Sequence, residues 1–153
     1  MPNPESTGLP HPARFTVRGE VAVEETTGLE WQRAASPTKI TYAAAMAVCD
    51  GLVLEGKDDW RVPTRIELVS LVDFTRRPTL DVAAFPDTPE DYFWAQTLTA
   101  WDPKLAWSAY FGLGLSAYGA VDGESAHVRC VRGGRVVSAE RFELTAATVR
   151  DLN

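Results

Sequence analysis

Eight of the fifteen aromatic residues of this chain lie in one stretch, residues 92–118, and this clustering constrains the fold more than any other feature. Gly112, Gly114 and Gly119 punctuate the stretch together with other small residues. Aromatic side chains favour strands, and glycine marks the tight turns between them. The stretch therefore predicts several short antiparallel strands joined by turns.

A first helix is predicted over residues 42–50. Thr41 is a suitable N-cap for this helix, and Gly51 is a suitable residue to end it. Three apolar residues recur at helical spacing and predict the inward face: Tyr42, Met46 and Cys49.

A second helix is predicted after a loop at residues 55–63. Thr64 and Glu67, three residues apart, form a capping box ahead of an apolar run. We expect this helix to end near Phe74. Its predicted buried stripe comprises Leu68, Leu71 and Val72.

Further strands flank these helices. Residues 14–24 predict one or two short strands bent near Gly19, and residues 127–131 predict a last strand. Residues 79–89 lack a helical period and predict irregular structure. Strands, two helices, loops and then several strands, in this order, are typical of an α+β fold.

The chain is long enough for one domain with its own core. Residues 13–135 form the predicted domain, residues 1–12 an extended lead, and residues 136–153 a tail strand. The tail is a candidate start of a second repeat, because an Arg-Phe pair occurs near both ends of the chain with an acidic residue at the same distance. Glu24 follows Arg14 by ten positions, and Asp151 follows Arg141 by ten positions.

Composition excludes several classes of function. Twenty-one acidic against fifteen basic residues give a formal net charge of −6, so we expect no nucleic-acid partner. Two cysteines and two histidines, His11 and His127, are too few for a four-thiolate zinc site or a His-rich centre, and we predict no metal. No run approaches the roughly 18 apolar residues of a membrane helix, so we predict no transmembrane segment.

Seven segments form an ordered series along the chain: TGLEWQR (27–33), the helix at 42–49, DDWRVPTRIEL (58–68), LVDFTR (71–76), FPDTP (85–89), FWAQ (93–96) and VRCVRGG (128–134). This series resembles the Lcl C-terminal domain family of bacterial domains. The resemblance implies a C-type-lectin-like fold with two helices and several short antiparallel strands. It also implies a secreted or cell-surface setting, with the signal peptide outside this chain.

The resemblance bears on the two cysteines, Cys49 and Cys130. A redox or nucleophilic thiol is one interpretation. The other is a disulfide between the first helix and the last strand, where lectin-like folds commonly carry one, and we expect this disulfide. Ligand contact is one interpretation of the conspicuous motif residues, but we expect architectural roles in core packing and helix capping for all of them: Trp31, Trp60, Arg61, Pro63, Thr64 and Glu67.

The namesake of the family binds glycosaminoglycans, whereas this chain is acidic. A sulfated glycan would require a local basic cluster, for which the candidates are Arg76, Arg77, Arg132 and Arg135. Calcium-dependent sugar binding would require a Glu-Pro-Asn or Gln-Pro-Asp motif, and neither occurs in this chain. We expect no cofactor, with a structural calcium on Asp87, Glu90 or Asp91 as the alternative.

The aromatic stretch holds the candidate ligand site. Exposed Trp and Tyr faces stack on sugar rings or anchor protein interfaces. Two or three of the eight aromatics are expected to be exposed, whereas Trp94 is assigned to the core and His127 to a structural role. The predicted ligand-binding residues are Trp101, Asp102, Tyr110 and Tyr118.

The fold's catalytic relatives hold copper with a closely spaced cysteine pair or a metal with a histidine triad. Neither site can be assembled from these residues, so we predict that the protein is not an enzyme. We predict an extracellular recognition module for a glycan or a cell-surface protein. The alternative is a structural or assembly module that packs against neighbouring domains or subunits, including self-association through the tail.

Overall fold

A computed structural model describes residues 14–133, and within them the chain forms an α+β fold of short strands and two short helices. The predictions for residues 1–12 and 136–153 lie outside the described residues. The strands are β1 (Phe15–Arg18), β2 (Val21–Glu24), β3 (Leu29–Gln32), β4 (Ile40–Thr41), β5 (Tyr92–Leu98), β6 (Leu105–Tyr110), β7 (Leu115–Ala120), β8 (Ser125–Ala126) and β9 (Val131–Gly133). The helices are α1 (Tyr42–Asp50) and α2 (Arg65–Val69).

The first sheet has the order β1-β2-β3-β9, and all its strands are antiparallel to their neighbours. Its first hairpin confirms the predicted bend, because Gly19 adopts a φ of 60° that glycine tolerates at little cost. The β3–β9 pairing brings the end of the described chain beside the TGLEWQ segment.

The second sheet has the order β5-β6-β7 and is also antiparallel, which confirms the strands predicted from the aromatic stretch. Its central strand is β6, and α2 packs on this strand. Side chains alternate between the two faces of such a sheet, so residues on β6 that are an odd number apart lie on opposite faces.

Helix α1 begins and ends where the sequence predicts, with Thr41 accepting a hydrogen bond from the Ala44 amide. The predicted inward face is partly wrong. Cys49 is fully buried, but Met46 is 37% exposed, and Ala45 takes the buried position one turn before Cys49. The small Ala45 side chain lets the helix lie close to the core, which turns the adjacent Met46 outward.

Helix α2 has the predicted capping box but is shorter than predicted. It ends at Val69, and Phe74 is 72% exposed. Downstream, the Asp73 carboxylate accepts hydrogen bonds from the amide and hydroxyl of Thr75. Such a side-chain turn competes with helical hydrogen bonding and ends the helical path.

The strand predicted over residues 127–131 is displaced in the structure to β8 and β9. The intervening backbone bonds with side chains as well as with strands. The Val128 amide donates to Ser36 Oγ, and the Cys130 amide donates to Gln32 Oε1. These bonds satisfy the backbone without a regular ladder, which the apolar pattern of the sequence does not reveal.

Cys49 and Cys130 form the expected disulfide, with Cα atoms 5.5 Å apart. The bond lies in a buried cluster that also contains Trp60 and Trp94. A second buried cluster lies around Trp31, with Phe85, Phe93 and Phe111 among its members. Trp94 is therefore a core residue, as predicted.

The architectural roles assigned to the motif residues agree with their contacts. Trp31 is fully buried and donates from Nε1 to Glu24, while Trp60 donates to the Lys57 carbonyl. Pro63 is buried beside the capping box formed by Thr64 and Glu67. Arg61 makes a two-pronged ion pair with Glu67 at 2.7 and 2.8 Å.

Candidate functional site

Three aromatic side chains, two on the second sheet and one in its β5–β6 loop, contact one another edge to face. The ring centres of Trp101 and Tyr118 are 5.4 Å apart, those of Trp101 and Trp107 are 5.6 Å apart, and those of Trp107 and Tyr118 are 5.8 Å apart. The ring planes cross at 82–87°. We refer to these three residues as the aromatic triad.

Strand pairing and a short loop position the triad. Trp107 on β6 lies directly opposite Tyr118 on β7, so their side chains share one face of the sheet. Trp101 lies in the loop between β5 and β6. Within this loop Thr99 Oγ donates to the Asp102 carbonyl, and Asp102 Oδ1 accepts from the Lys104 amide.

The triad presents two of its rings to solvent. Trp101 is 61% exposed and Tyr118 is 52% exposed, whereas Trp107 is half-buried beneath them. Interlocked contacts of this kind restrict the rotamers of the exposed rings. The exposed rings are therefore already ordered in the free protein, so a ligand that binds them causes little further loss of side-chain entropy.

Arg65 completes this surface, although nothing in the sequence pointed to it. Its guanidinium carbon lies 4.0 Å from the centre of the Trp107 ring, and its Nε donates to Ser116 Oγ at 3.3 Å. No carboxylate among residues 14–133 forms an ion pair with it. An Arg at the first position of a helix carries no local signal of a contact with a distant strand.

Tyr110 does not belong to this surface, and the sequence-based grouping of it with Trp101 and Tyr118 is not reproduced. It is three residues from Trp107 on β6 and therefore lies on the opposite face of the sheet. There it pairs across the strands with Tyr92, with ring centres 4.9 Å apart. The sequence could not separate the faces because the strand boundaries were unknown.

Asp102 does lie beside Trp101, but its hydrogen bonds shape the loop. Its Oδ1 atom caps the Lys104 amide, which is a common turn-forming role of Asp. Three of the eight aromatics are exposed, in line with the two or three expected: Tyr92, Trp101 and Tyr118.

Two arginines of the candidate basic cluster, Arg76 and Arg132, are in ion pairs, whereas the exposed Arg77 donates to the Arg76 carbonyl. Arg132 bonds with Asp59 and Glu30, and the pKa of Asp59 is lowered mainly by the Arg132 hydrogen bond. Arg76 bonds with Asp73, whose pKa is lowered because hydrogen bonds from Thr75 and Arg76 outweigh its burial. Arg135 lies outside the described residues. Arg76 and Arg132 thus carry no uncompensated charge for a sulfated ligand.

Of the three acids proposed as alternative calcium ligands, Asp91 has other contacts. Asp91 pairs with Lys39 at 3.0 Å and accepts from the Tyr92 amide. Over residues 14–133, no three His, Cys, Asp or Glu side chains converge on a point where a metal could bind. His127 is buried, with Nδ1 2.9 Å from the Ser36 carbonyl oxygen, in agreement with a structural role.

The model of the Lcl C-terminal domain family matches residues 20–132. No curated protein matches the chain. Neither helix of residues 14–133 is long and apolar enough to cross a membrane. The matched residues include both cysteines, both helices, the aromatic triad and Arg65, and cover most of the chain. On this basis the chain belongs to the Lcl C-terminal domain family.

Proposed function

We propose that this domain is a non-catalytic recognition module, displayed outside the cell, that binds a protein partner through the aromatic triad and Arg65. The observation that carries the proposal is the preordered contact of Trp101, Trp107 and Tyr118 with Arg65 on one open face. Trp, Tyr and Arg are the residues that most often dominate the binding energy of protein interfaces.

The fold that we propose is the C-type-lectin-like fold. Short antiparallel sheets, two short helices and a disulfide from the first helix to the last part of the core support this assignment. The disulfide also supports an extracellular setting, because disulfides persist in oxidising compartments.

A protein is favoured over a glycan because polar groups beside the triad are already used. Ser116 Oγ bonds with Arg65, and Asp102 Oδ1 bonds with the Lys104 amide. Sugar hydroxyls require several such groups to replace their bonds to water. Ile66, next to Arg65 on α2, adds an apolar side chain that is 80% exposed.

The non-catalytic assignment is supported by the chemistry of the most reactive candidates. Both cysteines are joined in the disulfide, so neither supplies a thiolate. The half-buried Glu67 carboxylate is paired with Arg61 and accepts from the Thr64 amide. These groups are therefore engaged in contacts that stabilise the fold.

Parallel binding to arrays of extracellular protein domains and of glycans tests this proposal. We expect wild-type domain to bind a protein, and Trp101→Ala to weaken that binding about tenfold or more, as for an interface anchor. Val53→Ala is a matched control, because Val53 is 68% exposed in the loop after α1. Binding to glycans alone, or protein binding that is insensitive to Trp101→Ala, would overturn the proposal.

An assembly module is the second candidate function. In β1, Phe15 packs on Phe85 with ring centres 4.9 Å apart, and the Arg141-Phe142 pair of the tail repeats the Arg14-Phe15 pair. The tail of one copy could thus supply the β1 contact in another. Deletion of residues 136–153 tests this by solution mass, since an oligomer that survives the deletion would exclude tail exchange.

A further inference from the structure

The edges of the two larger sheets differ in how they are protected. The outer edge of β5 is covered, since the Trp94 amide donates to the His127 carbonyl and the Gln96 amide donates to the Pro63 carbonyl. The outer edge of β9 is covered as well, because Val131 exchanges two backbone hydrogen bonds with Arg61. Covered edges cannot accept another strand.

The edge strand β1 is protected by charge. Arg14 directly precedes this strand and Arg18 is its last residue, and both side chains are exposed. Charged residues are a usual means of preventing edge-to-edge pairing. By contrast, β7 has the sequence LSAYGA, with neither a charge nor a proline. Within residues 14–133, no backbone group bonds to the outer edge of β7, and only the Glu124 side chain occupies part of it, at the Ala120 amide.

The backbone of β7 offers hydrogen bonds on this edge. The Ala120 amide donates to Glu124 Oε2, so this backbone N–H points away from β6. In an antiparallel pair the direction of the backbone groups alternates, so Ser116 and Tyr118 also point their amides and carbonyls outward. Within residues 14–133, no hydrogen bond from the amide of Ser116 or Tyr118 to a loop or side chain occurs on this side.

Arg65 provides an oriented positive charge at the same edge. The Trp107 ring and the Ser116 hydroxyl hold its guanidinium beside the first residues of β7, and no carboxylate of residues 14–133 pairs with it. A guanidinium held in this way is suited to a two-pronged bond with a carboxylate. The chain's net charge of −6 would repel a polyacidic segment, so a single acidic side chain fits best.

We infer that the outer edge of β7 binds an extended segment of a partner protein by strand addition, with one acidic side chain of the segment on Arg65. This inference rests on the proposed function and specifies the form of its partner. Outward backbone groups at Ser116 and Tyr118 bind the main chain of the segment. Side chains on the triad's face contact Tyr118 and Trp101, so apolar residues are expected at alternate positions beside the acid.

A displayed library of random peptides tests the inference, with enriched peptides synthesised and their dissociation constants measured against the whole chain. We expect enrichment of extended sequences with one Asp or Glu between apolar residues. Ser116→Pro removes an outward amide without disturbing the bonds to β6, and should weaken binding about tenfold. Ser116→Ala keeps that amide and is the matched control, with a smaller loss expected.

Charge reversal separates the role of Arg65 from that of the backbone. Arg65→Glu should abolish the preference for an acidic residue and favour peptides with Lys or Arg in a repeated selection. An absence of enriched peptides, an absence of acidic enrichment, or equal binding by Ser116→Pro and Ser116→Ala overturns strand addition. Thermal unfolding of each variant verifies that it is folded.

Two further outcomes separate this inference from the proposed function. If Trp101→Ala weakens binding to a protein but Ser116→Pro does not, the recognition module stands and strand addition is wrong. If Ser116→Pro weakens binding and Trp101→Ala does not, strand addition stands and the aromatic triad is not the anchor. Self-association that Ser116→Pro abolishes would assign the edge to a second copy and overturn the peptide partner.

Discussion

The guanidinium of Arg129 lies over the Phe85 ring, 4.6 Å from its centre, and is completely buried. Its hydrogen bonds go to the Gln32 and Arg33 carbonyls and to Thr88 Oγ. No described carboxylate pairs with it, so stacking and neutral acceptors replace an ion pair. Burial lowers its pKa to about 9. This side chain joins the end of β3 to the loop before β5.

Arg129→Lys is expected to reduce the free energy of unfolding by about 3 kcal/mol. Lysine cannot reach Gln32, Arg33 and Thr88 together, nor stack a planar group on Phe85, so buried acceptors lose their donors. Urea unfolding at neutral pH measures the change. The control Arg18→Lys, on exposed β1, should stay within about 0.5 kcal/mol of wild type. An equally small change for Arg129→Lys would contradict this role.

The disulfide between Cys49 and Cys130 closes a loop of 81 residues in sequence separation. Replacing both cysteines with alanine should lower stability by up to about 4 kcal/mol, because the unfolded chain regains conformational freedom. Guanidinium unfolding of the double variant measures this loss. Wild type in reductant should match the variant, and equal stability of oxidised wild type and variant would rule out a stabilising disulfide.

Glu67 makes stability depend on pH. Burial opposes its ionisation, but the hydrogen bonds from Arg61 and Thr64 outweigh burial, so its pKa is lowered from 4.5. Because folding lowers this pKa, the ionised Glu67 carboxylate stabilises the fold at pH values above 4.5. This stabilisation is lost as the pH falls through the lower pKa of the folded state. Glu67→Gln should therefore cost about 1 kcal/mol at neutral pH.

The difference between wild type and Glu67→Gln should then shrink as pH falls below 4.5. Urea unfolding over a pH series measures both proteins. Val53→Ala is a useful comparison, because Val53 is 68% exposed and is not part of the Arg61–Glu67 pair. A difference that stays constant with pH would show that Glu67 acts through packing and not through its charge.

Tyr118 and Tyr92 form a matched pair for locating the binding face. They are 52% and 41% exposed and lie on opposite faces of the same sheet. Tyr118→Ala should weaken binding to the protein partner about tenfold, whereas Tyr92→Ala should leave it within about twofold. Calorimetric titration gives both affinities. Greater sensitivity to Tyr92→Ala would move the site to the Tyr92–Tyr110 face.

Local features of the fold were predictable because their causes lie within a few residues. The caps of α1 and α2 follow from Thr41, Gly51 and the Thr64–Glu67 pair. The strand predicted over residues 127–131 was misplaced because its causes lie far away in sequence. Its backbone bonds with Ser36 and Gln32, which are far away in sequence, and no periodicity encodes those partners.

The candidate site divides in the same way. Trp101 was identifiable because an aromatic residue beside Asp102-Pro103 predicts an exposed turn. Tyr110 was misplaced because the face on which a strand residue lies depends on strand register. Arg65 was missed because its contact with Trp107 exists only once α2 packs on β6.

The sequence by itself determined the α+β class, the helix caps, the turns and, through its ordered motifs, the family. Only the tertiary structure decided which aromatics meet, that Arg65 faces Trp107, and that the backbone groups of Ser116 and Tyr118 point away from β6. Capping and turn preferences are settled by short-range sterics and hydrogen bonds. Surfaces arise from long-range packing and register, where a shift of one residue exchanges the two faces of a sheet.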